Sequence, residues 1–398
     1  MRPRQRAALL VACLSAGLAA AAGAAQVSGC AAHGSVTPPF IENDTGVDAP
    51  GVTVDANLAP GDDASSILGS GCATAKAPIQ RDPIYMLMVL DGSGSMLDDS
   101  KWAAIVPALE GFIDTLQSMK DTTFGLGLTI FSDSSDPTDG GPYTKMDVPI
   151  AFVDDAQAVL LHQRLDVAVP KGQTPTLAVL TGQYPLVEAY VPTPPLKVGG
   201  GHKVLVLMTD GVPYPDTATQ QPKCIQAAKD EFAKAAPVGP VTTFAVGIGH
   251  TFPYDPTVYD PMFMGQLALA GGAPNQPCAY FETKYAQNMC HFQITPVGGQ
   301  TQIEQDLLIA FDKIRAKVTS CDLTLDTTGI IDPGLVNVVY TDPYNTQHVL
   351  EDDPSDGWTY DNPQAPTKVV LHGQACDDLK ANPSGQVEVV LGCKTIVK

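Results

Sequence analysis

Six consecutive apolar residues, Tyr85 to Leu90, run without a break into the carboxylate of Asp91 and then into Gly92-Ser93-Gly94-Ser95-Met96. A short apolar run that stops at polar turn residues reads as a buried strand. Its end carries three oxygen-bearing side chains at alternate positions, Asp91, Ser93 and Ser95, with glycines between them that let the backbone fold tightly. Oxygen donors of low total charge suit a hard divalent cation better than zinc. Magnesium is the expected ion, with manganese and calcium also compatible. The carboxyl end of a strand is where open α/β sheets place their ligands.

The Asp91-x-Ser93-x-Ser95 spacing resembles the D-x-S-x-S signature of von Willebrand factor A domains, whose metal-ion-dependent adhesion site holds a divalent cation. The resemblance implies two more ligands from later loops, a Thr and an Asp. Thr174 in Gly172-Gln173-Thr174-Pro175-Thr176 and Asp210 in Val206-Leu207-Met208-Thr209-Asp210-Gly211 stand at matching positions. It extends over residues 80–320, with no departure at the metal positions. Other motifs fit less well. A calcium-binding EF-hand loop counted from Asp91 would need Gly and Glu where the chain has Met96 and Trp102. A hydrolase elbow needs G-x-S-x-G, which Gly92-Ser93-Gly94-Ser95 does not supply. A plain Gly/Ser turn accounts for the first segment alone, but not for all three.

Strand and helix patterns alternate around these segments. Trp102, Ile105, Val106, Leu109, Phe112, Ile113 and Leu116 recur at three- and four-residue steps and predict a helix with one apolar face, Trp102 serving as a core anchor. Residues 123–131 read as a second strand and 147–152 as an edge strand, because Pro149 lacks an amide donor. The turn between them, with Asp133, Asp136 and Asp139, reads as a solvated acidic loop. A helix is expected at 155–166, then a helical pattern from Thr176 that should break or kink near Pro185. Residues 203–208 read as a strand, apolar from Val204 to Met208, that leads to Asp210, as a central parallel strand does. Helix 225–235, strand 241–247, a helix through 266–270 and a last helix through 303–318 complete the series. The alternation predicts an α/β fold: a doubly wound, mostly parallel sheet flanked by helices, Rossmann-like in layout.

At 398 residues the chain has room for two domains and extensions. Arg2, Arg4 and Arg6 precede an Ala-rich apolar run, so residues 1–30 read as a signal peptide. Val27-Ser28-Gly29-Cys30 resembles a bacterial lipobox, which implies a lipid anchor at Cys30; cleavage near Ala25 would give a secreted protein instead. The expected location is the bacterial cell envelope or the exterior. Residues 31–71 read as a disordered acidic linker, since no Lys or Arg occurs between Arg6 and Lys76. Seven cysteines follow the leader, Cys72, Cys224, Cys278, Cys290, Cys321, Cys376 and Cys393, and export would oxidise them. Cys278–Cys290 is the expected local disulfide. The odd count pulls against lipidation, because Cys30 would make it even.

From Cys321 the pattern shifts to short alternating strands at 322–327, 336–341, 369–372 and 386–391, a small all-β module over 321–398. Cys321, Cys376 and Cys393 are candidate staples for it. The arrangement resembles A-domain proteins of delta-proteobacteria, which carry such a tail ending in a pair like Gly392-Cys393.

A formal net charge of −20 argues against nucleic acid or anionic membrane surfaces as partners. The A-domain resemblance implies a protein partner whose Glu or Asp completes the coordination of the ion. On that reading the neutral hydroxyls of Ser93, Ser95 and Thr174 keep the ion electrophilic, while Asp91 and Asp210 balance its charge. Two other classes stand beside it. In one, the ion only fixes the loops and the C-terminal module recognises the partner. In the other, His250 acts as a base in metal-assisted hydrolysis; no HExxH or Ser-His pairing accompanies it, and the expectation is that the protein is not an enzyme.

Overall fold

Strand β1 (Ala75–Gln80) leads into β2 (Ile84–Asp91), the apolar run. After a 3-10 segment at Gly94–Ser100 come α1 (Lys101–Met119), β3 (Phe124–Phe131), β4 (Val148–Phe152), α2 (Asp155–Asp166) and α3 (Thr176–Glu188). Next are β5 (His202–Thr209), α4 (Thr217–Phe232), β6 (Val241–Ile248), α5 (Pro261–Ala270), β7 (Phe292–Ile294) and α6 (Gln300–Val318). The last part holds β8 (Asp322–Leu325), β9 (Val336–Thr341), β10 (Gln347–Leu350), β11 (Gly357–Tyr360), β12 (Lys368–His372), α7 (Gly373–Ala381) and β13 (Gln386–Leu391). This computed structural model describes residues 75–398 apart from 133–142, 197–200, 236–238, 251–257, 276–277, 279–288, 297–299, 326–331, 343, 383–384, 392–393 and 398. The leader, Cys30, the acidic linker, the turn with Asp133, Asp136 and Asp139, Cys72, Gly392 and Cys393 lie outside the described residues.

Six strands form the central sheet in the order β4-β3-β2-β5-β6-β7. All neighbours run parallel except β4, which is antiparallel at the edge, where Pro149 sits without a ladder donor to lose. Every residue of β2 is buried, and alternate side chains enter different layers. Met86, Met88 and Leu90 join the core under α1, α2 and α6, whereas Tyr85, Leu87 and Val89 join the core under α3, α4 and α5. Strand β5 divides the same way, with Val204, Val206 and Met208 on one side and Leu205 and Leu207 on the other. This is the doubly wound α/β sheet that the alternating pattern predicts.

Local signals set several helix starts. The Asp154 carboxylate accepts from the Gln157 amide at 2.9 Å to open α2, and Asp260 accepts from Met262 at 2.9 Å ahead of Pro261 in α5. The break expected at Pro185 does not occur: α3 runs on to Glu188. Pro185 stands close to the helix end, where the missing amide costs one bond and few residues remain to be redirected.

The second sheet agrees with the expected C-terminal β module and adds two features to it. Seven strands pair in the order β10-β9-β13-β1-β8-β12-β11, antiparallel at every junction. Strand β1, from ahead of the α/β unit, therefore lies inside this sheet between β13 and β8. Helix α7 packs on it through Ala375 and Leu379, and the Cys321–Cys376 disulfide ties that helix to the chain entering β8. Trp358, Val338, Val369 and Val389 are fully buried beneath.

Candidate metal centre

The chain order of the central sheet reverses between β2 and β5: from β2 it winds outward through β3 and β4, then returns and winds outward through β5, β6 and β7. A crevice outside the carboxyl ends of the strands is expected at such a reversal. Asp91 ends β2, and Asp210 follows β5 immediately, so the sheet puts both carboxylates beside that point. Both are buried, at 0% and 1% exposure.

Three loops close around them. Asp91 Oδ1 accepts from the Ser93 amide at 2.8 Å, and its Oδ2 accepts from the buried Thr209 hydroxyl at 2.5 Å. Ser93 Oγ lies 3.0 Å from Ser95 Oγ, which donates to Asp210 Oδ1 at 2.8 Å. The Thr174 loop is fixed to the first by Gly94 N donating to Gly172 O at 3.0 Å and Lys171 N to Gly92 O at 2.8 Å. It is fixed to the third by Tyr214 N donating to the Thr174 carbonyl at 2.9 Å. A Cβ on Gly211 would stand 2.8 Å from Thr174 Oγ1, so only glycine lets the Asp210 loop approach that hydroxyl so closely. The structure thus brings together Asp91, Ser93, Ser95, Thr174 and Asp210.

Both carboxyls are held above the usual carboxylate range. Burial is the larger cause for Asp91, followed by the charge of Asp210; burial also dominates for Asp210, opposed by Lys101. Two buried carboxylates, ringed by hydroxyl oxygens, form a donor set that fits a hard divalent cation. Among the described residues no cluster of three or more His, Cys, Asp or Glu side chains could hold a metal, and this centre itself has only two carboxylates, its other oxygens being hydroxyls.

Two residues of the centre escape the sequence pattern. Thr209 was legible only as the last strand residue before Asp210. Lys101 reaches Asp210 Oδ2 at 2.5 Å and is itself buried, although it reads as an ordinary charge one position before an apolar helical face. His250 stands on the same edge but half-exposed, 3.6 Å from Asp99, and makes no contact with the two carboxylates. Beside Gly92 a groove is lined by Trp102, Ile130, Arg164, Val167, Val169 and Lys171. Val167 and Val169 are 71% and 74% exposed.

Neither a protein-family profile nor a curated protein sequence matches the chain. Among solved structures it is similar to the pilus adhesin SpaC from Lactobacillus rhamnosus GG in its open conformation, with 15% identity and a TM-score of 0.44, covering 78% of this chain and 39% of that one. It is similar to a von Willebrand factor type A protein from Catenulispora acidiphila at 12% identity and a TM-score of 0.36, covering 82% and 67%. The manganese-loaded TRAP protein of Plasmodium vivax gives 16% identity and a TM-score of 0.37, covering 72% and 86%. Superpositions this loose leave the architecture to the strand order and the site to its own residues.

Proposed function

We propose that the chain is an exported, adhesion-like protein-binding module of the von Willebrand factor A type, in which one divalent cation is held by Asp91, Ser93, Ser95, Thr174 and Asp210. The observation that carries this reading is the convergence of two buried carboxylates and hydroxyl oxygens at the reversal of strand order. Magnesium fits the donor chemistry first, with manganese and calcium as other hard ions. A bound ion would supply a Lewis-acidic position for a Glu or Asp carboxylate of a partner protein. The residues of the chain orient that position: Thr209 and the Ser93 amide fix Asp91, and Ser95 fixes Asp210. The exposed Val167 and Val169 beside Gly92 offer apolar surface to the residues flanking such a carboxylate.

Binding is favoured over catalysis because His250, the candidate base, pairs with Asp99 rather than with the carboxylates. Export is supported by the two disulfides, Cys278–Cys290 and Cys321–Cys376. Cys224 is a buried free thiol whose pKa burial pushes up to about 12. That leaves Cys72 and Cys393 as an even remainder beyond the leader, which removes the parity objection to a lipid anchor at Cys30.

Calorimetric titration with magnesium and manganese tests the reading, run beside Asp91→Ala with its fold checked by circular dichroism. One saturable site is expected in the parent and none in the folded variant. A folded parent that takes up neither ion refutes the assignment.

A further inference from the structure

Lys101 is the first residue of α1, and its ammonium group lies on Asp210 Oδ2 at 2.5 Å. Both partners are almost sealed from solvent, at 8% and 1% exposure. The backbone that delivers it is unusual. Asp99 and Ser100, neither of them glycine, take φ of 53° and 60°, so two successive residues enter the left-handed region immediately before Lys101. A cation in the first turn of a helix also opposes the helix dipole. Neither local propensity nor helix electrostatics explains a buried lysine there. The carboxylate it faces does.

We infer that Lys101 is a built-in counter-cation of the metal centre, which sets the fixed charge that an incoming ion meets. The inference rests on the metal-site reading above and concerns how strongly that site holds its ion. Once ionised, Asp91 and Asp210 alone would present two negative charges; with the ammonium on Asp210 the net is one. A divalent ion entering this field is held less tightly and keeps more of its own charge for a partner carboxylate. Without an ion, Lys101 keeps Asp210 from being an unpaired buried charge, so the loops need not collapse or reorganise. Ser95 on Oδ1 and Lys101 on Oδ2 together pin the Asp210 carboxylate from both oxygens.

The test compares the full-length parent with Lys101→Met, titrating manganese by calorimetry and recording thermal unfolding with and without the ion. Lys101→Gln, which keeps a donor but no charge, serves if the Met variant does not fold; Lys101→Arg keeps the charge. Removing a nearby unit charge in a poorly solvated site is expected to tighten manganese binding by about tenfold. The ion-free neutral variant should melt below the parent, and saturating manganese should recover most of that loss. The Arg variant should bind manganese within a few-fold of the parent. If the parent binds and a folded neutral variant binds equally or more weakly, the counter-cation assignment is overturned while the metal site stands. If the parent takes up no ion and the neutral variant does, Lys101 occupies the cation position itself, and both the counter-cation assignment and the proposed function fail. If neither folded protein binds, both fail.

Discussion

His291 provides a test of the fold behind the centre that needs no ligand. The imidazole is fully buried, with Tyr259 Oη 3.1 Å and Gln293 Oε1 2.7 Å from its Nε2. The Gln293 amide nitrogen donates to Gly249 O at 2.7 Å and Ile294 O at 3.0 Å, so Oε1 is the acceptor and Nε2 carries the proton. Nδ1 is then a bare acceptor, buried with no hydrogen-bond partner among the described residues. Burial lowers the pKa from 6.5 to about 4, against the smaller raising effect of Gln293. Because the folded value lies below the unfolded one, the unfolded chain binds the proton first as pH falls. The contribution is complete above about pH 6.5 and is lost progressively down to about pH 4, where both states are protonated. At 1.36 kcal/mol per pH unit the gap corresponds to about 3 kcal/mol. Urea unfolding at steps from pH 8 to pH 4 should therefore show the parent losing about 3 kcal/mol more than His291→Gln across that window. Parallel stability curves for parent and variant would refute the argument.

Other expectations follow from the same geometry. Gly211→Ala should displace the Thr174 hydroxyl, because the new methyl would stand 2.8 Å from it, and weaken manganese binding by about tenfold with little change in melting; unchanged affinity by calorimetry would place Thr174 outside the donor set. The double variant Cys321→Ser, Cys376→Ser should cost about 2–4 kcal/mol in urea unfolding by releasing a 55-residue closure, while manganese affinity stays at the parent value.

The legible parts of this chain are those where burial dictates residue type over a long enough run. Residues 85–90 of β2 and 204–208 of β5 are covered on both faces, so they appear as uninterrupted apolar runs, and α1 and α6 show a single apolar stripe. Strand β1 carries the sequence Ala-Lys-Ala-Pro-Ile-Gln, with no alternation and a proline, and owes its place to pairing with β13 and β8 far along the chain. Four-residue β10 is only partly covered, and α7 buries just Ala375 and Leu379, too little pattern to read. In the centre, the five candidate donors could be named from sequence because each sits at a strand end or in a fixed motif. Lys101 was not, because its burial depends on the left-handed turn at Asp99 and Ser100 rather than on its own neighbours in sequence.

The place of β1 also orients the molecule around the centre. It precedes β2, so the second sheet joins the α/β unit at the amino end of β2, and the return connection from α6 into β8 provides a second link. Arg81 donates to the Gly385 carbonyl at this junction, tying the chain that enters β2 to the segment before β13. Asp91 lies at the other end of β2, seven positions on from Ile84, a separation of about 23 Å along an extended strand. The edge that carries Asp91, Thr174 and Asp210 therefore faces away from the second sheet. A partner that supplied a carboxylate at that edge would meet the loops and the groove beside Gly92 before anything from the β-rich module. On the proposed function, such an arrangement would leave the module to support and the α/β unit to recognition, so that breaking the Cys321–Cys376 bond would lower stability without touching the ion.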